Sequence, residues 1–339
     1  MILTGLRANN DLHIGNYFGA LLPLIDMAKG HAEDYDINLF VPDLHSFTTP
    51  IDHNLLQQQI MHNLKLFVAA GLPLDNDSVH LYRQSYVPAH SELAWILSCF
   101  TGFGEMSRMV EFKDKSARIG DDRVTVGLFN YPILMAADIL LYNASYVPVG
   151  DDQRQHLEFA RDIAEHLNKK FNDLFVMPEP VAKQHEFFGK DQGLRIKDLT
   201  DPTKKMSKSE EPVKGIIYLG DEPAVAAQKI MGSATDSLAS IHLDWDQQPG
   251  VTNLLQILAL LRNQTLDEVG NEWAGKTSYG ELKNVVAEAV KHFLEEFQTK
   301  TGQVDEARLM AKLETGEAKM NEIANAMLTK VQKAVGLRP

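Results

Sequence analysis

Short apolar runs alternate with longer helical patterns through the first half of this chain, and that alternation restricts the possible folds more than any other feature. Met1 to Thr4, Ile37 to Val41, Val79 to Tyr82 and Tyr146 to Val149 read as strands. Between and after them, helical spacing is expected from the turn at Leu12–Asn16 onward, over Asn54 to Ala70, Ser91 to Arg108, Pro132 to Leu141 and Asp152 to Asn168. Strands separated by helices of this length pair in parallel, with helices on both faces, so an α/β fold is predicted. The pattern loosens from about Pro178 to Thr203, which reads as a long loop. Beyond Asp221 only helical periodicity remains: Pro223 to Ile230, Val251 to Leu261, Leu266 to Trp273, Tyr279 to Phe297 and Asp305 to Val335. An all-helical second part follows.

Composition narrows the class of protein. The chain has 339 residues, 44% hydrophobic and 23% charged, enough for one large or two ordinary domains with a sizeable core. The apolar run from Phe129 to Tyr142 is broken by Asn130, Pro132 and Asp138, so no membrane span is predicted. No basic, apolar leader precedes the first strand, and a cytoplasmic location is expected. Cys99 is the single cysteine, set among Leu93, Trp95, Ile96, Leu97 and Phe100, and reads as a buried thiol. A disulfide framework and a cysteine metal site are excluded. The net charge of −13 argues against indiscriminate nucleic-acid binding, while leaving room for a local basic surface. Candidates for one are Arg108, Lys113, Lys115, Arg118, Arg123, Lys204, Lys205 and Lys208.

Ligands of open α/β sheets bind beyond the carboxyl ends of the strands. Asp43, His45, Gln84 and the segment from Gly150 to Gln153 all fall there. Leu12-His13-Ile14-Gly15-Asn16 places a small-residue turn at the mouth of a helix, whose free N–H groups and partial positive charge suit a phosphate. Gly15 lets a ring or sugar approach the backbone. Far along the chain, Lys205-Met206-Ser207-Lys208-Ser209 carries two ammonium groups and two hydroxyls, suited to a polyphosphate whose charge shifts during reaction. Between them, Tyr131, Met135, Asp138 and Tyr142 fall on one face of a helix that Pro132 would open. A carboxylate in so apolar a stretch needs a donor. An indole N–H would serve, and so would a backbone N–H or a basic residue of the core. Tyr146-Val147-Pro148-Val149-Gly150-Asp151-Asp152-Gln153 reads as strand, glycine turn and helix start. Its carboxylates either cap that helix or take the hydroxyls of a ribose, with Gly150 letting the sugar lie close.

The two outer segments resemble the HIGH and KMSKS signatures of class I aminoacyl-tRNA synthetases. Added to Ile14 to Leu21, Phe112 to Ala117, Met135 to Tyr142, Val147 to His156, Asp201 to Ser209 and Ala234-Thr235-Asp236-Ser237, they make the chain similar, over almost its whole length, to the bacterial tryptophanyl-tRNA synthetases of the tryptophan/tyrosine branch. The resemblance implies a Rossmann-like parallel-sheet catalytic domain (1–200), a KMSKS loop with a helical anticodon-binding domain (201–300), and a C-terminal helix (301–339) packing back toward the catalytic domain. It implies activation of tryptophan by ATP to tryptophanyl-adenylate, then transfer to tRNA(Trp), with no protein nucleophile. Asp138 would accept the indole N–H, with Met135, Tyr131, His45, Val147 and Val149 around the ring and Gln153 on the amino group. His13, Gly15, Asn16, Gly150, Asp152, Met206 and Ser207 would meet the nucleotide. Lys115, Lys205 and Lys208 would meet the phosphates, and Mg²⁺ would be bound mainly by ATP, with no metal site of the protein's own.

The sequence departs from that family at Arg7-Ala8-Asn9-Asn10, where a Gln-Pro-Ser-Gly turn is usual, at His13, Leu3 and Pro42, and in a longer stretch from Gln184 to Gln192. Rival readings are a tyrosyl-tRNA synthetase, a simpler nucleotidyltransferase, and a non-catalytic paralogue that binds tryptophan or tRNA. A homodimer is expected from the resemblance and from spare apolar surface at Trp95, Phe100 and Phe103.

Overall fold

The structure is a computed structural model that describes residues 1–6, 11–119, 124–150, 153–188, 196–207 and 213–339. Three strands, β1 (Ile2–Gly5), β2 (Ile37–Val41) and β3 (Val79–Arg83), form a parallel sheet in that order. Ile37 pairs with Ile2 on one side and Val79 on the other. Every residue of β2 is buried, as expected of a central parallel strand covered on both faces. The first crossover contains a continuous helical run, from Ile14–Asn16 through a π-helical Tyr17–Leu21 into Leu22–His31; the second contains Leu56–Ala69. All three strands therefore end at one edge of the sheet, and the loops there carry the candidate site. The fold is α/β and Rossmann-like.

Several local expectations change. Tyr146 to Val149 forms no ladder: Tyr146 makes a single parallel bridge to Ile2, with Leu3 donating to its carbonyl at 3.0 Å. Pro148 has no N–H to extend the pairing. The expected helix Ser91 to Arg108 is two pieces, Ala89–Ser98 and Phe103–Met106, split at Gly102, whose extended backbone starts the second. Cys99 caps the first piece and is exposed rather than buried. Phe100 packs edge-on against Phe171 at 5.5 Å, so it is not spare surface. The helix expected from Pro132 begins earlier, as Val126–Leu140, because Thr125 caps it through the N–H of Leu128. Pro132 thus lies inside the helix, and Tyr142 lies just past its end. The loose region holds a helix, Val181–Phe188.

The C-terminal half is helical. Pro249–Arg262 is enclosed along most of its length, from Gly250 to Ala259. Thr265 and Glu268 form a capping box on Leu266–Trp273. The long final helix, Glu306–Ala334, lies on β3: a Cβ placed on Gly316 would stand 2.0 Å from the carbonyl oxygen of Leu81. Beside it, Glu317 receives Nε and Nη2 of Arg83 at 2.6 and 3.0 Å. The edge strand is thereby covered by a helix.

Candidate active site

Asp138 stands near the end of the Val126–Leu140 helix with 1% of its surface exposed. Three elements converge on it. His45, in the 3-10 turn after β2, donates from Nε2 to Oδ2 at 2.9 Å. Gln84, in the turn after β3, donates from Nε2 to Oδ1 at 2.7 Å. His90, in the Ala89–Ser98 helix, approaches Oδ1 with Nδ1 at 2.6 Å, while its Nε2 lies 2.8 Å from the Tyr142 hydroxyl. Burial pushes the Tyr142 phenol far up, so it remains O–H; it donates to Nε2, which leaves the proton of His90 on Nδ1, facing the carboxylate. Burial alone would raise the Asp138 carboxyl, but the hydrogen bonds from His45 and His90 outweigh it and hold the group at about 2. Internal donors therefore satisfy part of the demand that the sequence leaves open. Oδ1 accepts two bonds and Oδ2 one among the described residues, so Oδ2 keeps the lone-pair capacity for a further donor. His45, with 19% of its side chain exposed, is the partner on that oxygen.

Of the other residues expected about the ring, Tyr131 and Val147 are buried, and Met135 and Val149 are half-buried. The Tyr131 ring meets His45 edge-on at 6.3 Å, and its hydroxyl lies 2.9 Å from Nε2 of His156. Gln153 is half-buried at the start of the Arg154–Phe171 helix, its N–H donating to the carbonyl of Gly150 at 2.9 Å. Asp43, also expected at this edge, is taken up structurally: it accepts from the backbone of Leu44 and Ser85 and from the Ser85 hydroxyl, tying the loops after β2 and β3 together.

The helix-mouth segment and the lysine segment meet. His13 caps its helix, accepting on Nδ1 from the N–H of Asn16 at 3.3 Å, while Oδ1 of Asn16 accepts from the N–H of His13 at 3.2 Å. A Cβ on Gly15 would stand 3.0 Å from the His13 ring and 3.8 Å from Cβ of Ile196. Ile196 in turn accepts from the N–H of Met206 at 3.0 Å, and Lys197 bridges Lys205 in antiparallel fashion. Met206 is buried beneath, Ser207 is half-buried, and Lys205 is exposed. Asp152 and Lys208 lie outside the described residues, as does the side chain of Lys115, as do the departures at Arg7 to Asn10.

The sequence places Gln84 at the ligand edge without naming a partner for it, and gives His90 and His156 no role. The available signal is, for the two histidines, a position on the apolar face of a helix and, for Gln84, its place at a strand's carboxyl end. None of these signals names a partner.

Residues 1–295 match the family of tRNA synthetases class I (W and Y). A tryptophan–tRNA ligase of Caldanaerobacter subterraneus is 42% identical over 336 residues, covering 99% of this chain and 98% of that protein. Among solved structures, the tryptophanyl-tRNA synthetase of Mycoplasma pneumoniae superposes with a TM-score of 0.81 at 35% identity, over 99% of this chain and 97% of its own. That of Campylobacter jejuni, solved with ADP and tryptophan, gives 0.80 at 30% identity over 99% of each.

Proposed function

The chain belongs to the class I tRNA synthetases of the tryptophan and tyrosine branch, and within it to the tryptophan–tRNA ligases; from this premise we propose how its residues divide the reaction. The enzyme joins tryptophan to ATP as tryptophanyl-adenylate, releasing pyrophosphate, and passes the acyl group to tRNA(Trp). The carboxylate of tryptophan is itself the nucleophile, so the protein contributes positioning and charge stabilisation.

The observation that carries the site assignment is the caged Asp138 carboxylate. Its carboxyl is held at about 2 and so stays ionised, its Oδ2 keeps acceptor capacity for one more donor, and it sits at the edge of the sheet where ligands bind. An indole N–H fills that position, with Tyr131, Met135, His45, Val147 and Val149 about the ring and Gln153 on the α-amino group. A phenylalanine side chain supplies no N–H and forgoes a hydrogen bond to a charged acceptor, which gives discrimination of roughly 10- to 100-fold from this contact. His13, Gly15 and Asn16 at the helix mouth receive the nucleotide, with Gly150 and Asp152 at the ribose. Lys205, Met206, Ser207 and Lys208 close on the phosphates, Lys115 adding a third ammonium.

Mg²⁺ arrives as the counter-ion of the ATP phosphates. Among the described residues no three His, Cys, Asp or Glu side chains stand together as a metal cage, and such an ion is held chiefly by substrate oxygens and water. Exposed Arg108, Lys113, Lys204 and Lys205 form the basic surface offered to tRNA. Trp95, Phe103 and Val126, at 72%, 75% and 74% exposure, form the face of a homodimer. No described helix is long and apolar enough to cross a membrane; we place the enzyme in the cytoplasm.

Amino-acid-dependent ATP–pyrophosphate exchange across all twenty amino acids tests this reading. Exchange with tryptophan alone is expected; comparable exchange with tyrosine overturns the pocket assignment.

A further inference from the structure

Among the described residues the segment that carries Val147 has one strand beside it, β1; on its other edge the N–H of Glu179 donates to the Ser145 carbonyl at 2.8 Å, and a side chain takes the rest. Gln184, on the Val181–Phe188 helix, is 2% exposed. Its Oε1 accepts from the N–H of Val147 at 2.9 Å, and its Nε2 donates to the carbonyls of Ser145 at 3.0 Å and Glu179 at 2.9 Å. The amide orientation follows from these partners, since the reverse would set oxygen against two carbonyls and NH₂ against an N–H. One turn along, Phe187 stacks on the Tyr146 ring at 3.8 Å and 13° and on His31 at 4.6 Å. The helix thus grips residues 145–147 twice, by the backbone and by a ring.

We propose that Gln184 is a positioning residue for amino-acid binding: its amide replaces the missing neighbouring strand and fixes the Val147 backbone that forms one wall of the tryptophan pocket. This inference rests on the pocket assignment above. Removing the amide leaves the buried N–H of Val147 without its acceptor, so the segment must shift to find another. The nucleotide contacts at His13, Gly15 and Lys205 lie on other segments; Gly150 and Asp152 lie further along this one, beyond Pro148, so KM for ATP is expected to move less than KM for tryptophan.

The test measures ATP–pyrophosphate exchange by the full chain carrying Gln184→Met or Phe187→Leu. Gln184→Met keeps the side chain's length and loses all three hydrogen bonds. It is expected to raise KM for tryptophan on the order of 10-fold, with KM for ATP and kcat within about 2-fold. Phe187→Leu keeps the amide and is expected to raise the same constant less. An unchanged KM for tryptophan in Gln184→Met, or KM values for tryptophan and ATP rising together, overturns the proposal and leaves Gln184 a purely structural residue. If Gln184→Met does not yield folded protein, Phe187→Leu decides: no change in KM for tryptophan overturns it. Failure of wild-type enzyme to use tryptophan would instead overturn the function on which the inference stands.

Discussion

Asn in place of Asp138 has nearly the same shape but offers one acceptor oxygen and an NH₂ group. With His45, Gln84 and His90 all pointing donors inward, the new NH₂ must face at least one of them, and the indole N–H competes for what remains. Hydrogen bonds to a charged partner are worth about 1.5–3 kcal/mol, so Asp138→Asn is expected to raise KM for tryptophan by roughly 10- to 100-fold while changing KM for ATP little. Equal loss in both would contradict the pocket assignment. The same residue has a pH signature. Its folded carboxyl lies at about 2, below the ordinary 3.8, so it contributes stability that is complete above the ordinary value and is lost as pH falls through about 2. That difference is worth ~2 kcal/mol. In urea unfolding, the stability gap between wild type and Asp138→Asn should narrow between about pH 4 and about pH 2; a constant gap would show that the caged charge contributes nothing. The acid in an apolar stretch was readable from composition alone. Gln84 and His90 were not readable as its partners, because they approach from a different loop and a different helix.

At the scale of elements, the Glu306–Ala334 helix and β3 show how close two backbones come. Alanine favours a helix over glycine by about 1 kcal/mol. At Gly316 its Cβ would meet the carbonyl oxygen of Leu81 at 2.0 Å, a backbone atom that cannot rotate away. Overpacking of this kind costs about 1–3 kcal/mol and should win. Gly316→Ala is expected to lower Tm by up to about 3 °C (roughly 1.4 °C for each kcal/mol in a chain of this size), and a rise in Tm would show that the helix is free to lift off the strand. Helical periodicity marked this final helix to within a residue at each end. Boundaries went astray where local chemistry outweighed pattern. Thr125 started a helix well before Pro132, Gly102 divided one that looked continuous, and Pro148 kept Tyr146 to Val149 from pairing as a strand.

For the whole molecule, Trp95 and Phe103 are exposed on two helices that pack against the Val126–Leu140 helix, whose first residue, Val126, is exposed as well. A face of large exposed apolar side chains is the usual mark of an association surface. Sedimentation of the wild-type protein should give a dimer, and Phe103→Asp should shift it to monomer with loss of exchange activity; a wild-type monomer at working concentration would refute the assignment.

What the chain determined by itself was whatever depends on neighbours a few residues away. The alternation that makes a parallel sheet, the helical second half, the glycine turn before a helix, and an acid needing a donor are all of that kind, because periodicity, capping and desolvation act locally. Tertiary structure decided which distant groups meet. It set Ile196 between Gly15 and Met206, three donors around Asp138, a glutamine amide where a strand would lie, and Cys99 in solvent instead of the core. Those outcomes depend on how faces pack and at what depth, and no local pattern encodes the depth at which a side chain comes to rest.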